Sequence, residues 1–367
     1  MKILVIWKAL VSETYHNRFV ELAKFKDVEL TLIVPTKWHK INLEKKFCSE
    51  YKIIPRRVVL NGSNHFHWYP GLARIIRQVR PDILHIEEEH YSLVTFQAIR
   101  LAKKYNIKCL FVTWQNIYKK YPFPFSRVEQ YNLENADYAI AGSNEVRKVL
   151  VRKGFDNKRI STIPLGADTV MFHKMESTEL RSKLQLEFFT IGYLGRFVKE
   201  KGVIDLLQAV SRISSDFNLL LVGSGKLRHK IKETGRHLGL LEKIRIVDSI
   251  SSSQVPYYLN GMDCLVLPSR TTRTWKEQFG RVLTEAMSCE VPVIGSDSGE
   301  IPNVIGDCGL VFKEGDADDL SSKITRLINN PGLRGELAKN GRQRVLDNFT
   351  QEKAARETCK IYQKMMC

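Results

Sequence analysis

The 367-residue sequence lacks the segments that mark membrane-spanning and secreted proteins. No apolar run approaches the roughly 18 residues that a membrane-spanning helix requires. Met1 and Lys2 lead directly into the apolar run Ile3–Ile6, without the charged start, long apolar stretch and cleavage site of a signal peptide. We therefore expect a cytoplasmic protein.

Cysteine is scarce and its spacing is irregular. The seven cysteines include no Cys-x-x-Cys pair and none has a histidine at metal-ligand spacing, which argues against a zinc site. In a reducing compartment we expect most of them to be buried apolar side chains, with Cys367 exposed at the terminus. A content of 43% hydrophobic and 26% charged residues indicates a globular chain, and its length predicts two domains.

Acidic residues are fewer than basic residues, and the formal net charge is +17. Residues 1–165 contain 28 Lys and Arg against 15 Asp and Glu, whereas residues 166–367 contain 29 against 25. This asymmetry predicts an anionic partner for the N-terminal part: nucleic acid, a phosphorylated substrate or the negative inner leaflet of a membrane. A solvated basic surface without a partner is the alternative.

Short β-branched runs alternate with helical stretches along the chain, as in buried parallel strands joined by helices. The runs are Ile3–Ile6, Leu30–Val34, Ile83–Ile86, Cys109–Val112, Tyr138–Ala141, Thr190–Leu194, Leu219–Val222, Ile244–Val247, Cys264–Leu267 and Val291–Ile294. The alternation predicts an α/β protein with right-handed crossovers and helices on both faces of each sheet.

The alternation begins twice, which predicts two doubly wound, Rossmann-like domains with a ligand-binding cleft between them. A turn rich in Pro and Gly at Ile163–Asp168 separates the two series. We place the N-terminal domain at residues 1–165 and the C-terminal domain at 166–350. From Pro331 the pattern is helical, with breaks expected at Gly341 and Asn348, and we expect residues 351–367 to form a helix that packs on the first domain.

A glycine-rich turn with two cations follows the first strand of the second series. Gly195 permits a close approach of the backbone to a ligand, Arg196 can chelate phosphate oxygens, and Lys201 adds a second positive charge. Residues Val203–Val210 predict a helix whose N-terminus would also point at the phosphates. The turn therefore predicts a diphosphate site, with a solvated basic turn as the alternative.

Two glutamates eight residues apart follow the predicted strand Cys264–Leu267. Glu277 lies on a loop, and Glu285 falls on a helix that is predicted to begin near Gly280. A carboxylate on such a helix can accept hydrogen bonds from two adjacent sugar hydroxyls. The pair predicts that the two acids contact opposite ends of a nucleotide sugar.

These motifs together resemble glycosyltransferase family 4, a family of retaining enzymes with the GT-B fold. The resemblance rests on Gly195-Arg196 with Glu200-Lys201-Gly202, and on the Glu277 and Glu285 pair followed by Ala286-Met287 and Pro292-Val293-Ile294. It covers essentially the whole second domain. Val222–Gly225, Asp263, Pro268-Ser269 and Gly309–Val311 follow in the family's order.

The resemblance implies a nucleotide-diphosphate sugar as donor. It places Arg196 and Lys201 on the diphosphate, Glu285 on the ribose hydroxyls, and Glu277 with Gly280 near the sugar. Backbone groups near Ile250 are expected to recognise the base. The full set of expected donor-binding residues is Gly195, Arg196, Lys201, Gly223, Ile250, Glu277, Phe279, Gly280, Arg281 and Glu285.

The first domain departs from the family pattern. The usual Gly-Gly loop after the first strand is replaced by residues 7–15, and the second histidine of a His-x-His element is replaced by Glu87, which follows His85. We carry both His85 and Glu87 as candidate catalytic residues beside Arg196, Lys201 and Glu277, without assigning either as a general base. Packing or solvation is the alternative for His85 and for Glu88.

A second polar loop follows the strand Cys109–Val112. Trp114, Gln115 and Asn116, together with Glu89, are the expected acceptor-binding residues. The Trp114 ring can stack on a sugar or fill a core.

Two other motifs carry no cofactor prediction. The Asp316-Ala317-Asp318 stretch fits a metal-binding D-x-D pattern, but its position predicts that Asp316 caps a helix, and we expect no essential metal. Gly223-Ser224-Gly225-Lys226 does not satisfy the phosphate-loop pattern of ATPases. No cofactor is expected, because the nucleotide sugar is a substrate.

Aromatic and basic residues interleave in three segments: Lys37–Lys40, His65–Tyr69 and Tyr118–Phe125. This mixture suits the bilayer interface and also single-stranded nucleic acid. Because no nucleic-acid-binding module accompanies it, we expect peripheral contact with the inner membrane leaflet or a lipid-linked anionic acceptor, and no nucleic acid.

The sequence thus predicts a retaining hexosyltransferase that uses a UDP- or GDP-sugar and a lipid-linked or polysaccharide-precursor acceptor. A nucleotide-sugar epimerase or hydrolase of the same fold is one alternative. A non-catalytic, basic membrane-docking protein is the other.

Overall fold

The computed structural model describes residues 1–43 and 50–367. The chain divides into two compact units. Unit 1 contains Met1–Gly166 together with Gln351–Cys367, and unit 2 contains Ala167–Thr350. Each unit is built around its own parallel sheet.

Unit 1 has a seven-stranded parallel sheet in the order β5-β2-β1-β6-β7-β8-β9, and β3 and β4 form a separate antiparallel pair. Its strands are β1 Lys2–Ile6, β2 Glu29–Pro35, β3 Lys37–Trp38, β4 Ile41–Asn42, β5 Lys52–Arg56, β6 Ile83–Ile86, β7 Lys108–Thr113, β8 Tyr138–Ala141 and β9 Ile160–Thr162. Its first helices are α1 Asn17–Ala23, α2 Leu72–Val79, α3 Leu93–Tyr105, α4 Phe125–Asn135 and α5 Asn144–Arg152.

Strand β1 shows why this sheet is covered on both faces. Ile3 and Val5 belong to one buried apolar cluster, and Leu4 and Ile6 belong to another. Since successive side chains of a strand point to opposite faces, a continuous apolar run requires helices on both sides.

Unit 2 has a six-stranded parallel sheet in the order β12-β11-β10-β13-β14-β15. Its strands are β10 Phe189–Leu194, β11 Phe217–Val222, β12 Ile244–Val247, β13 Cys264–Leu267, β14 Val293–Ser296 and β15 Leu310–Phe312. Its helices are α6 Thr178–Lys183, α7 Val203–Val210, α8 Arg228–His237, α9 Val255–Asn260, α10 Arg281–Ser288, α11 Ile301–Ile305, α12 Ala317–Asn329 and α13 Pro331–Asn348.

The last helix, α14 Gln351–Met366, belongs to unit 1 and packs against α1. Its apolar residues join the cluster that contains Ile3 and Val5, and the Tyr362 ring is fully buried there. The chain therefore returns to the first sheet after completing the second.

All ten strands predicted from the sequence are present, and the expected parallel α/β architecture is confirmed. The strand predicted at Val291–Ile294 instead spans Val293–Ser296, because Pro292 has no N–H to donate to the sheet. Strands β3, β4, β5, β9 and β15 were not predicted. Strands β3 and β4 have two residues each, and β5, β9 and β15 lie at sheet edges, where half-burial and short length weaken the apolar signal.

The break expected at Gly341 is wrong, whereas the helix end at Asn348 is confirmed. Helix α13 continues through Gly341, which faces Met287 of α10. A Cβ atom at that position would lie 3.1 Å from Met287 Cγ. The glycine thus serves close helix packing and does not end the helix.

Five cysteines are buried, Cys367 is exposed, and Cys48 lies outside the described residues, so the expectation for the described cysteines is confirmed. Across residues 1–43 and 50–367, none of the helices combines the length and apolar character that a bilayer crossing requires.

Candidate active site

The central feature of unit 2 is the point where the chain leaves β10 and β13 in opposite directions. These strands are neighbours in the sheet, but β10 connects through α7 to β11 on one side, whereas β13 connects through α10 to β14 on the other. Ligands of open α/β sheets bind at this kind of switch point, at the carboxyl ends of the strands. The loop after β10 contains Lys201, and the loop after β13 contains Glu277.

Lys201 and Glu277 form a close ion pair at this switch point. Lys201 Nζ donates a hydrogen bond of 2.5 Å to Glu277 Oε2, and the same oxygen accepts a 2.7 Å bond from Ser269 Oγ. The ammonium also lies 5.1 Å from the centre of the Trp275 ring. Glu277 is buried and Lys201 is largely buried, so a cation and a carboxylate are held together in a site of reduced dielectric.

Gly202 fixes the position of the Lys201 turn. It has a φ of 65° and immediately precedes α7, and a Cβ atom there would lie 1.7 Å from the Pro268 carbonyl oxygen. Only glycine permits this approach. The N-terminus of α7, as predicted at Val203, is thereby pressed against the loop that follows β13.

The loops after β10 and β11 are joined by backbone contacts. Gly223 packs against the carbonyl of Gly195, where a Cβ atom would lie 2.0 Å from the oxygen, and Phe197 N–H donates to Ser224 O at 2.8 Å. Ser224 Oγ lies 2.7 Å from Ser249 Oγ, next to Ile250. The structure therefore places the expected residues Gly195, Gly223 and Ile250 on adjoining loops at one edge of the sheet.

Arg196 differs from Lys201 because its side chain is 66% exposed. Its Nη2 lies 3.9 Å from Glu200 Oε1, an arrangement that solvent screens strongly. The Arg196 carbonyl accepts a 2.7 Å hydrogen bond from Tyr193 Oη, which holds the backbone while the guanidinium is left in solvent. The side chain can thus turn toward an anionic ligand without breaking a buried contact.

Helix α10 begins as predicted, with Gly280 in the left-handed region at φ 82° and Arg281 as its first residue. Phe279 is buried and its ring packs edge-on against Phe349 at 5.6 Å. Glu285 is also buried, and its Oε1 accepts from Arg281 Nε at 2.8 Å, one helical turn away. Burial raises the pKa of Glu285, and Arg281 partly opposes this shift.

The raised pKa predicts a conflict between stability and binding at Glu285. At neutral pH the ionised carboxylate costs folding free energy, because the fold favours its protonated form. Glu285→Gln should therefore raise the free energy of unfolding near pH 7, with the gain vanishing below about pH 4, where the wild-type group is protonated in both states. The same variant should lose nucleotide affinity. Denaturation from pH 4 to 8 and calorimetry with nucleotide measure the two effects, and unchanged affinity would contradict the ribose assignment.

Ser269 and Trp275 contact the Lys201 and Glu277 pair but were not among the predicted site residues. A further contact also went unpredicted: Asp205 of α7 accepts from Arg270, with Oδ1 2.7 Å from Nη2. The sequence signal for Ser269 and Arg270 was their position directly after β13, whereas Asp205 lies on α7 and Trp275 lies eight residues beyond the end of β13.

In unit 1, the expected acceptor-binding residues lie at the carboxyl ends of the neighbouring strands β6 and β7. Glu89 joins the two loops, because its Oε2 accepts from Thr113 Oγ1 at 2.5 Å and its Oε1 accepts from Trp114 N–H at 3.0 Å. The Trp114 ring is partly exposed and packs against Gly142, where a Cβ atom would lie 2.3 Å from the ring. Trp114 therefore combines packing with an accessible surface.

Gln115 and Asn116 are both buried. Gln115 Nε2 donates to the Ile117 carbonyl at 3.0 Å, and its Oε1 accepts from Tyr121 Oη at 3.1 Å. Gln115 thus orders the loop that leads to Tyr121.

For His85 the structure supports the packing alternative. The ring is fully buried: Nδ1 lies 2.5 Å from Tyr362 Oη, and Nε2 lies 2.8 Å from Glu87 Oε1. Glu87 in turn pairs with Arg18, whose pKa burial lowers to about 10. Burial and the Arg18 guanidinium hold the pKa of His85 well below its usual range, so the ring is neutral at pH 7.

Glu88 is likewise buried, in agreement with the packing alternative given for it above. It accepts from the Lys8 backbone N–H at 3.0 Å and pairs with the Lys8 ammonium, and His67 Nε2 lies 3.6 Å from its Oε1. Burial alone would raise the pKa of Glu88, but Lys8 and His67 outweigh it and the net shift is downward. Lys8, which stands in place of the family's Gly-Gly loop, therefore neutralises a buried acid at the β1 and β6 switch point of unit 1.

Asp316 is a helix cap, as predicted. Its Oδ1 accepts from the backbone N–H groups of Asp318 and Asp319 at the start of α12, at 3.1 and 3.0 Å. Within the described part of the chain, no group of three or more His, Cys, Asp or Glu side chains is placed to hold a metal ion.

Comparison with known families agrees with this arrangement. Residues 13–170 match the family Glycosyltransferase Family 4, and residues 176–344 match the family Glycosyl transferases group 1. The chain belongs to glycosyltransferase family 4. The resemblance seen in the donor motifs is therefore confirmed, and it extends to the first domain despite the altered loop after β1.

Individual relatives of this chain are distant in sequence. The chain is 32% identical to the capsular polysaccharide biosynthesis glycosyltransferase CapM of Staphylococcus aureus over 56% of its own length and 55% of that protein. It is 35% identical to an uncharacterized glycosyltransferase of Methanocaldococcus jannaschii, over 47% of each chain. The chain thus spans about half the length of these curated relatives.

The structure of HepE from Anabaena in complex with UDP superposes with a TM-score of 0.79 at 16% identity, covering 99% of this chain and 100% of that one. At such low identity the similarity shows the fold alone. Together with the two parallel sheets, it confirms the GT-B fold expected from the sequence.

Proposed function

We propose that this glycosyltransferase moves a hexose-type sugar from a UDP- or GDP-sugar to an acceptor hydroxyl, with retention of anomeric configuration. The observation that carries the proposal is the buried Lys201 and Glu277 pair at the β10 and β13 switch point of unit 2. The match to the family and the HepE structures with UDP and with UDP-glucose support a nucleotide-sugar donor.

The chemical demand on such a site is to stabilise a diphosphate that gains negative charge as it departs. Lys201 and the N-terminus of α7 supply positive charge that is in place before the reaction begins, and the exposed Arg196 guanidinium turns toward the diphosphate when the donor binds. Glu277 orients the Lys201 ammonium and lies near the sugar, and Glu285 binds the ribose hydroxyls. No essential metal is part of this proposal.

The donor is identified by screening nucleotides and nucleotide sugars for their effect on the melting temperature. A ligand at 100 times its dissociation constant should add about 2.7 kcal/mol of stability. The donor that stabilises most is then incubated with candidate acceptors, and the glycosylated product is measured. Release of free sugar or of an epimer without any acceptor would indicate the hydrolase or epimerase alternative, and binding without turnover would indicate a non-catalytic protein.

For the acceptor, the proposal specifies an anionic molecule, either a lipid-linked or a polysaccharide precursor, bound by unit 1. The name of CapM places that relative in capsular polysaccharide biosynthesis. Unit 1 contains Glu89, Trp114, Gln115 and Asn116 and most of the excess positive charge of the chain. We further propose peripheral contact with the cytoplasmic leaflet, since the aromatic segments expose Phe123 by 79%, Phe66 by 41% and Trp68 by 38%.

Phe123→Asp is expected to weaken binding to anionic vesicles several-fold, because an exposed ring at the headgroup level is replaced by a charge of the same sign as the lipid. Sedimentation with phosphatidylglycerol vesicles measures the effect. Exposed Val170, which is 85% accessible and lies in unit 2, offers a control as Val170→Asp. Equal losses in both variants would contradict a membrane contact at Phe123.

A further inference from the structure

A cavity of about 740 Å³ lies in unit 1 between helix α4, the end of α5 and the segment 118–121 that follows β7. Its volume is in the range of small-molecule sites, which run from roughly 300 to 1,000 Å³. The residues of the predicted donor site are all in unit 2, so this cavity belongs to a different part of the chain.

The walls of the cavity carry unneutralised positive charge. Lys119, Lys120, Arg152 and Arg159 line it. Among the residues that the structure describes, no carboxylate lies within ion-pair distance of Lys119, Lys120 or Arg152. Arg159 lies 3.7 Å from Asp156 and donates to the Ala136 carbonyl at 3.0 Å. Three cations without an ion-pair partner therefore line one cavity.

The cavity wall also contains two carboxylates, Glu129 and Glu134, so its five Lys and Arg side chains leave a net charge of +3. Glu129 Oε1 accepts from Lys153 Nζ at 2.7 Å and lies 3.0 Å from His90 Nε2, and Glu134 accepts from Gln130 Nε2 at 2.8 Å. Lys153 is thus already neutralised within the fold. The remaining four cations are opposed by Glu134 alone, because its partner Gln130 is uncharged, and the excess positive charge is available to a bound anion.

Two tyrosines complete the wall. The Arg152 guanidinium lies 4.1 Å from the centre of the Tyr118 ring, and Lys153 lies between the Tyr118 and Tyr121 rings at 5.0 and 5.4 Å. A guanidinium held against an aromatic face keeps its N–H groups available for an oxyanion.

The cavity is continuous with the loops that hold the expected acceptor residues. Tyr121 Oη donates to Gln115 Oε1 at 3.1 Å, and the Tyr121 ring stacks on Tyr91 at 4.6 Å. Glu129 reaches the other loop through its contact with His90. A molecule in the cavity would therefore sit beside the ends of β6 and β7.

We propose that this cavity binds an anionic sugar, phosphorylated or carboxylated, as a unit of the acceptor. Lys119, Lys120 and Arg152 bind its charge, and Tyr118 and Tyr121 border the cavity that holds its ring. That the bound sugar is part of the acceptor rests on the proposed function, but the binding of anionic sugars by these residues is measurable without any transfer reaction.

The test is calorimetric titration of the full chain with glucose 6-phosphate and with trigalacturonate, using glucose and maltotriose as uncharged counterparts. Titrations are repeated with the best nucleotide from the donor screen at saturation, so that the diphosphate site is filled. Arg152→Gln and Lys120→Gln are compared with Lys148→Gln, which removes one charge from the same helix as Arg152 at a position that is 79% exposed and outside the cavity.

We expect at least one of the anionic sugars to bind and the neutral sugars to bind far more weakly. Each cavity variant should raise the dissociation constant of the anionic sugar about tenfold, because it loses one charge-assisted hydrogen bond. Lys148→Gln should have little effect. Equal weakening in all three variants, equal binding of neutral sugars, or no binding of either anion would overturn the proposal. Nucleotide binding, measured in parallel, should be unchanged in every variant, and its absence in the wild type would instead overturn the proposed function.

Discussion

Lys201→Ala is expected to lower sugar transfer at least about a hundredfold. In the proposed reaction the ammonium is a fixed donor to the departing diphosphate, and removing one such donor costs on the order of 2.7–4 kcal/mol in the barrier. Its position is set before the donor binds, by the hydrogen bond to Glu277 and by the Trp275 ring. Steady-state kinetics with the donor identified by thermal shift measures the loss.

This variant also leaves Glu277 buried without its cation, so a structural effect must be separated from a catalytic one. Arg196→Ala provides the second measurement, because its exposed guanidinium can be removed without leaving a buried charge, and it too should lose about a hundredfold. Lys199→Ala, in the same turn and exposed, is the matched control and should transfer normally. Near-normal transfer by both Lys201→Ala and Arg196→Ala would remove the diphosphate assignment.

Gly202→Ala should destabilise unit 2 by roughly 2–4 kcal/mol, combining overpacking with the cost of a left-handed backbone for alanine. The added Cβ would meet the Pro268 carbonyl oxygen at 1.7 Å, and backbone there cannot move aside cheaply. The loop that positions Lys201 should shift as well, so nucleotide affinity should fall with stability. Chemical denaturation and calorimetry measure the two quantities.

Gly239→Ala separates the cost of the steric contact with Pro268 from the cost of a left-handed backbone for alanine. Gly239 has a φ of 68°, close to the 65° of Gly202, and lies in the same unit, but within the described chain no atom lies within 4 Å of the position that a Cβ atom would take there. This variant should lose only about 1–2 kcal/mol and keep its nucleotide affinity. Equal destabilisation of Gly202→Ala and Gly239→Ala would show that the contact of the α7 N-terminus with Pro268 does not hold the Lys201 loop in place.

Local patterns were sufficient for most of the architecture. The helix predicted at Val203–Val210 has those bounds in the structure, and α10 begins after Gly280 as expected, because apolar spacing and a glycine at the start are local properties. The edge strands β5, β9 and β15 were missed, since an edge strand buries less apolar surface and leaves a weaker pattern.

The partners of the site residues were less predictable. Glu285 was expected to contact ribose, and the structure adds Arg281 as the partner that opposes the effect of burial on its pKa. His85 was a candidate for a chemical role because it lies near a strand end, but the structure encloses it against Tyr362 of α14. Ser269 stood out only as part of Pro268-Ser269 in the family's order, without a site role, and Trp275 did not stand out, because a lone tryptophan after a strand has no distinctive spacing.

The sequence by itself determined the parallel α/β architecture, the family and the residue types of the donor motifs, because periodicity and short-range spacing are recorded along the chain. Only the tertiary structure decided which of those residues meet. Lys201 and Glu277 are 76 positions apart and pair because β10 lies beside β13, and His85 and Tyr362 are 277 positions apart and meet because the last helix packs on the first sheet. Such contacts depend on strand order and on the return of the chain, and no local pattern encodes either.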